Sequence, residues 1–106
     1  MKAIKLKNYK ICRGFSKYIG LMFSSKIKNP LIFEFKKEGL YPVHMFFVFF
    51  PIDVIYLDNN KKIIEIKENL KPFSYYNPRV KARYIVELER GFVKDNKIRI
   101  GGKLIF

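Results

Sequence analysis

The chain has one cysteine and one histidine in 106 residues, and its acids are outnumbered, nine Asp and Glu against 22 Lys and Arg. A single thiol, Cys12, excludes an internal disulfide framework and a four-cysteine metal site, and it fits a reducing compartment. No histidine pairs with it legibly, so Cys12 reads as a small buried hydrophobe on the first strand. One imidazole, His44, excludes a histidine-rich metal centre. Phosphate-loop, nucleophile-elbow, Cys-x-x-Cys and dinucleotide patterns are all missing. The N-terminal Met1-Lys-Ala-Ile-Lys-Leu-Lys7 has no apolar core of a signal peptide. The longest apolar run, Val43 to Leu57, is broken by Pro51 and Asp53 and is too short for a membrane helix, which needs ~20 residues. These absences predict a cytoplasmic protein with no membrane association, no metal and no cofactor.

What is present is apolar, aromatic and basic. The hydrophobic share is 49%, with eleven Phe and seven Tyr, far from a disordered composition. At this length we expect a single domain over residues 1–106 with a modest core. The formal charge of +13 is not balanced by Glu, so the surface repels itself and attracts polyanions.

The strongest local signal lies between residues 54 and 66. Asn59-Asn60 separates Val54–Asp58 from Lys61–Ile66, two runs rich in β-branched residues, and Asn tolerates positive φ. A two-residue primed turn is the natural connection. It predicts that Leu57 faces Lys62, Tyr56 faces Ile63, Ile55 faces Ile64 and Asp53 faces Ile66. By alternation Asp53, Ile55, Leu57, Ile64 and Ile66 then share one side, the candidate core face. Asp53 points inward, with Glu68 diagonally beside it.

Elsewhere, Lys2–Cys12 alternates Lys with apolar residues as a half-exposed strand, and Tyr18–Phe23 reads as a short helical turn. Leu31–Phe35 is a strand and Lys36–Gly39 a turn. Val43–Phe50 is aromatic on both faces and reads as a doubly covered strand. Residues 71–81, with two prolines and three aromatics, form the one long loop. Ala82–Leu88 is a strand, Gly91–Asn96 the best helix, and Leu104–Phe106 a last strand. Six to eight short strands with one or two short helices make a mainly β fold, a small barrel or sandwich.

Several segments, in this order and at these spacings, resemble one family. Gly20-Leu21-Met22-Phe23 is similar to its opening element. His44-Met45, then Pro51-Ile52-Asp53, then Tyr56-Leu57-Asp58 resemble its central signature. Pro72, Ala82–Leu88, Gly91 and Ile98-Arg99-Ile100-Gly101 resemble the remainder. The family is domain-of-unknown-function family 192, and the resemblance covers about residues 13 to 106. It implies a compact, mostly β domain without an assigned activity. Where many members carry Trp-Met-Lys-Asn this chain has His44-Met45-Phe46-Phe47, and Gly102 stands where an aspartate is expected. A family site built on those polar groups would be lost here.

Candidate site residues are His44, Met45, Asp53, Glu68, Tyr75, Arg83 and Glu87, read as lining a shallow polar mouth. Asp53 has two readings: a ligand-binding or acid–base carboxylate partnered by Glu68, or a structural acid capping backbone or paired with Arg83. His44 with Asp53 and Glu68 would be the one conceivable divalent-ion site, but no ligand-spacing motif supports it. Three functions follow. The first is a noncatalytic module binding a small ligand or a protein through this mouth. The second is a nucleic-acid or polyanion binder, using Lys71, Phe73, Tyr75, Tyr76, Arg79 and Lys81 of the long loop. The third is a carboxylate-based hydrolase using Asp53 and Glu68. The first is favoured, and catalytic residues are expected to be none. Oligomeric state is not legible.

Overall fold

The computed structural model describes residues 3–13, 27 and 29–106. The Tyr18–Phe23 helical turn, including the family's Gly20–Phe23 element, lies outside them.

Among the described residues nine strands and one short helix occur, the mainly β outline expected. The strands are β1 (Ala3–Lys5), β2 (Lys10–Cys12), β3 (Leu31–Gly39), β4 (Val43–His44), β5 (Ile52–Leu57), β6 (Ile63–Leu70), β7 (Tyr75–Tyr76), β8 (Ala82–Glu89) and β9 (Lys103–Ile105). The helix is α1 (Phe92–Asp95). A central sheet runs β2-β3-β8-β5-β6, and two-stranded sheets β1-β9 and β4-β7 lie apart from it. The central sheet is open rather than closed into a barrel. It is covered on both faces, so the molecule is closer to a sandwich.

β5 explains that layering. All six of its residues are buried. Ile52, Val54 and Tyr56 join one core with Met45, Val48, Leu70 and Ile85. Ile55 and Leu57 join a second with Ile32, Val86, Leu88, Val93 and Leu104. The small sheet β4-β7 contributes to the first core through Val43, and α1, β1 and β9 contribute to the second. A strand buried on both faces has no solvent side, hence its apolar sequence, in which Asp53 is the one polar residue besides the Tyr56 hydroxyl.

The β5–β6 hairpin corrects the expected register. Lys61 N–H donates to Asp58 O and Asp58 N–H to Lys62 O, both at 3.0 Å. Lys61, not an asparagine, takes the positive φ of 62°. This is a three-residue loop ending in a left-handed residue, which moves the pairing by one. The Asp58 carboxylate holds it by accepting from Asn60 N–H (2.8 Å) and Lys62 N–H (3.0 Å). A bulge between Tyr56 and Leu57 adds a second step, so Ile55 faces Ile66 and Tyr56 faces Glu65. Two one-residue steps restore parity. Asp53, Ile55, Leu57 and Ile66 still share a side, while Ile63 and Ile64 exchange faces and Lys62 moves opposite Asp58.

Three other expectations are corrected. The N-terminal run is two strands: Asn8 turns at φ 56°, β1 pairs with β9, and β2 pairs with β3. Residues 36–39 are not a turn, because β3 continues to Gly39. There Tyr41 packs so closely that a Cβ on Gly39 would lie 2.7 Å from its ring, so any side chain would push that ring aside. Val43–Phe50 is a strand only at Val43–His44. Met45 to Val48 then closes a turn, with Val48 N–H on Met45 O at 3.2 Å and Phe47 at φ 56°. An unalternating apolar run does not specify strand, and Pro51 removes a ladder donor just beyond it.

Candidate functional site

Met45 organises the surface that carries the exposed aromatics. It is buried, its N–H donates to Ser74 O at 2.7 Å, and its carbonyl accepts from Phe73 N–H at 2.9 Å. These bonds continue the β4–β7 pairing, in which His44 faces Tyr75 and Val43 faces Tyr76. Ser74 closes its own turn by donating Oγ–H to Lys71 O at 2.5 Å. The segments 43–49 and 71–77 are thereby locked together by backbone bonds.

Between them lies a groove of about 280 Å³, lined by Pro42, His44, Phe46, Phe73, Tyr75 and Asn77 among others. Phe46, Phe49, Phe73 and Tyr75 are each more than half exposed, and Phe47 is 44% exposed. Phe73 is the centre of this patch, edge-on to Phe49 at 5.2 Å and to Phe47 at 6.3 Å. At the rim, His44 Nδ1 accepts from Phe46 N–H at 3.3 Å. In that contact Nδ1 is the acceptor, and Nε2 takes no part in it.

Beneath the groove sits a residue that the sequence pattern alone did not single out. Glu65 is buried and accepts from Tyr76 Oη–H, Arg79 N–H (2.8 Å) and Val80 N–H (3.2 Å). It fastens residues 76–80 to the central sheet. Alternation places it on the Tyr56 side of the hairpin, a mixed face that also carries Lys67, so its burial left no clear signal in the sequence.

The remaining candidates are dispersed. Asp53 is buried as expected, but it does not open into a mouth. Its Oδ1 accepts from Asn69 N–H at 3.0 Å, and its Oδ2 from Gly91 N–H (3.1 Å) and Val93 N–H (3.0 Å). Gly91 precedes α1 and has no side chain with which to cap it, so Asp53 supplies the cap from another strand. The same carboxylate holds a bulge of β6 in which Asn69 is left-handed at φ 52°. Glu68, in that bulge, is exposed. Asp53 is buried on backbone donors while Glu68 is exposed, and His44, Asp53 and Glu68 do not gather into a cluster of metal-ligating type among the described residues. Arg83 does not pair with Asp53 either. It bonds Phe35 O and Asn59 Oδ1 (3.1 Å) and lies 3.6 Å from Glu34, tying the hairpin turn to β3.

Glu87 is buried on β8, on the Tyr56 side of the sheet. Burial alone pushes its carboxyl up to about 8. The Tyr56 hydroxyl is buried without a hydrogen-bond partner, and burial, then the nearby Glu65, raise its pKa. Cys12 is buried too, and burial raises its thiol pKa, the state of an unreactive cysteine.

Residues 11–106 match the family described as "Uncharacterized ACR", the domain-of-unknown-function family 192. The chain belongs to that family. A UPF0127 protein of Pyrococcus horikoshii is 38% identical over 88 residues, 81% of this chain and 75% of the relative. A UPF0127 protein of Thermococcus sibiricus is 30% identical over 92 residues, 85% of this chain, and the match spans only 59% of that relative's length. A solved structure from Sinorhizobium meliloti 1021, named as a candidate transcription regulator, superposes with a TM-score of 0.83 at 22% identity. It covers 88% of this chain and 76% of the other. At that identity the likeness is one of fold. No helix among the described residues is long and apolar enough to cross a membrane.

Proposed function

We propose that the chain is a noncatalytic binding module whose ligand or partner group sits in the groove between β4 and β7. The observation that carries this reading is the concentration of exposed Phe46, Phe49, Phe73 and Tyr75 on two segments held rigid by the Met45 backbone bonds. Aromatic surface left in water costs solvation free energy, and a contiguous exposed patch marks a recognition surface. Preformed geometry keeps the ordering cost of binding low. The volume of about 280 Å³ suits one planar, partly apolar group, flanked by phenyl faces and met at its polar edge by His44 Nε2 and Asn77. Asp53, Arg83 and Glu65 support this reading only as bracing.

The test is a screen of metabolites, metals and oligonucleotides by thermal shift, followed by amide chemical-shift mapping of any hit. The expected result is shifts centred on residues 43–47 and 73–77, with binding weakened about tenfold by Tyr75→Ala or Phe73→Ala. Both side chains are exposed, so neither change threatens folding. A hit whose shifts avoid the groove, or that binds both variants unchanged, overturns the proposal.

A second reading has its own observation. Lys71, Arg79 and Lys81 are exposed on the loop that carries Phe73 and Tyr75. Cations beside open aromatic faces suit the backbone and bases of a single-stranded nucleic acid.

A further inference from the structure

A second hollow, of about 420 Å³, is built on the other core, away from the aromatic groove. Ile4, Ile63, Ile98 and Ile100 wall it, and Lys97 and Arg99 stand exposed among its lining residues. Its frame is rigid for reasons visible in the backbone. After α1, Ile98 N–H reaches back to Val93 O at 2.9 Å and Lys97 takes a left-handed φ of 52°, a helix stop that turns the chain sharply. Residues 99–102 then form a turn closed by Gly102 N–H on Arg99 O at 3.1 Å, with Gly101 at φ 97°. Gly101 N–H to Ile63 O and Ile63 N–H to Gly102 O, both 2.8 Å, clamp the turn to β6.

The chemistry of this lining differs from that of the aromatic groove. Among the described residues it contains no aromatic ring and no acid. Asp95, two residues before Lys97, packs back toward Gly91. Ile100 is 64% exposed, apolar surface with no cover of its own. Isoleucine walls favour an alkyl chain over a flat ring. The guanidinium of Arg99 presents a fork matched to two carboxylate oxygens.

We infer that this hollow binds an aliphatic monocarboxylate, its chain against the four isoleucines and its head group on Arg99 and Lys97. The ligand class follows from charge complementarity at the rim and the aliphatic wall behind it.

The test titrates the full ¹⁵N-labelled chain with octanoate, octanol and benzoate at low salt. Octanoate should shift the amides of Ile63 and residues 98–102 and saturate below about 1 mM, with octanol and benzoate at least about tenfold weaker. Arg99→Gln combined with Lys97→Gly should weaken octanoate about tenfold while leaving octanol unchanged; glycine keeps the left-handed backbone at position 97. Octanol binding as tightly as octanoate, octanoate shifts centred on residues 43–49 and 73–77, or no saturation by about 10 mM would each overturn the inference. The comparison of ligands on the unaltered chain stands even where the double variant folds poorly. Either site can fail this test or the groove test without touching the other.

Discussion

Among single residues, Glu87 carries the clearest physical consequence. Its carboxyl is pushed up to about 8 by burial, so the folded protein keeps a proton that the unfolded chain gives up near its ordinary value of 4.5. The folded pKa is the higher one. Stability from this group is therefore full below about pH 4.5, falls as pH rises through the window up to about 8, and is level beyond it. The loss is on the order of a few kcal/mol. Glu87→Gln keeps the shape and removes the ionisation. We expect urea midpoints of wild type and variant to be close at pH 5, and the variant to be the more stable at pH 8. Equal pH dependence in the two would show that Glu87 is not held neutral in the native state. Tyr56 lies near Glu87 and Glu65 with its own hydroxyl unpaired, so this face holds the least satisfied polar chemistry among the described residues.

At the scale of elements, the junctions carry the information. Asp53 joins β5 to the start of α1 and to the bulge of β6, and three N–H groups depend on it. Removing it strands one buried donor, Val93 N–H, and two part-buried ones, the buried one costing about 1–3 kcal/mol and the others less. Asp53→Ala should lower stability by about 3–5 kcal/mol, whereas Asp53→Asn, which keeps one acceptor oxygen, should cost less. Denaturant melts measure both, and an Ala variant within about 0.5 kcal/mol of wild type would refute the capping role. Affinity in the groove should be untouched by Asp53→Asn, because that side chain lies under the helix and not at the groove. Glu65 does for residues 76–80 what Asp53 does for α1. Both carboxylates were visible as acids among apolar neighbours. For Asp53 alternation told which way it points; for neither did it tell what the carboxylate holds, because the donors lie 11 to 40 residues away.

For the whole molecule, the charge of +13 sets a field that acts at long range whether or not a site exists. A labelled oligothymidine should bind weakly and lose affinity steeply with salt. If the charge acts only as a field, Tyr75→Ala will leave that binding unchanged. A loss of about tenfold or more in Tyr75→Ala would instead promote the nucleic-acid reading, since stacking on one ring is worth about 1–3 kcal/mol. Salt dependence belongs to the net charge, and sensitivity to one ring belongs to the groove.

Period-two alternation, the breaks at Gly and Pro and the order of short motifs sufficed for the mainly β class, the family, the existence of the hairpin and the inward aim of Asp53. These are local properties, set by each residue's own backbone preferences and by neighbours a few positions away. The register of that hairpin, the exposure of Phe46, Phe47 and Phe49, the separation of β1 from β2 and the assembly of both hollows were decided only in three dimensions. Each depends on which distant strand supplies a hydrogen-bond partner or covers a side chain, and an apolar run reads the same whether it ends in a core or on a rim.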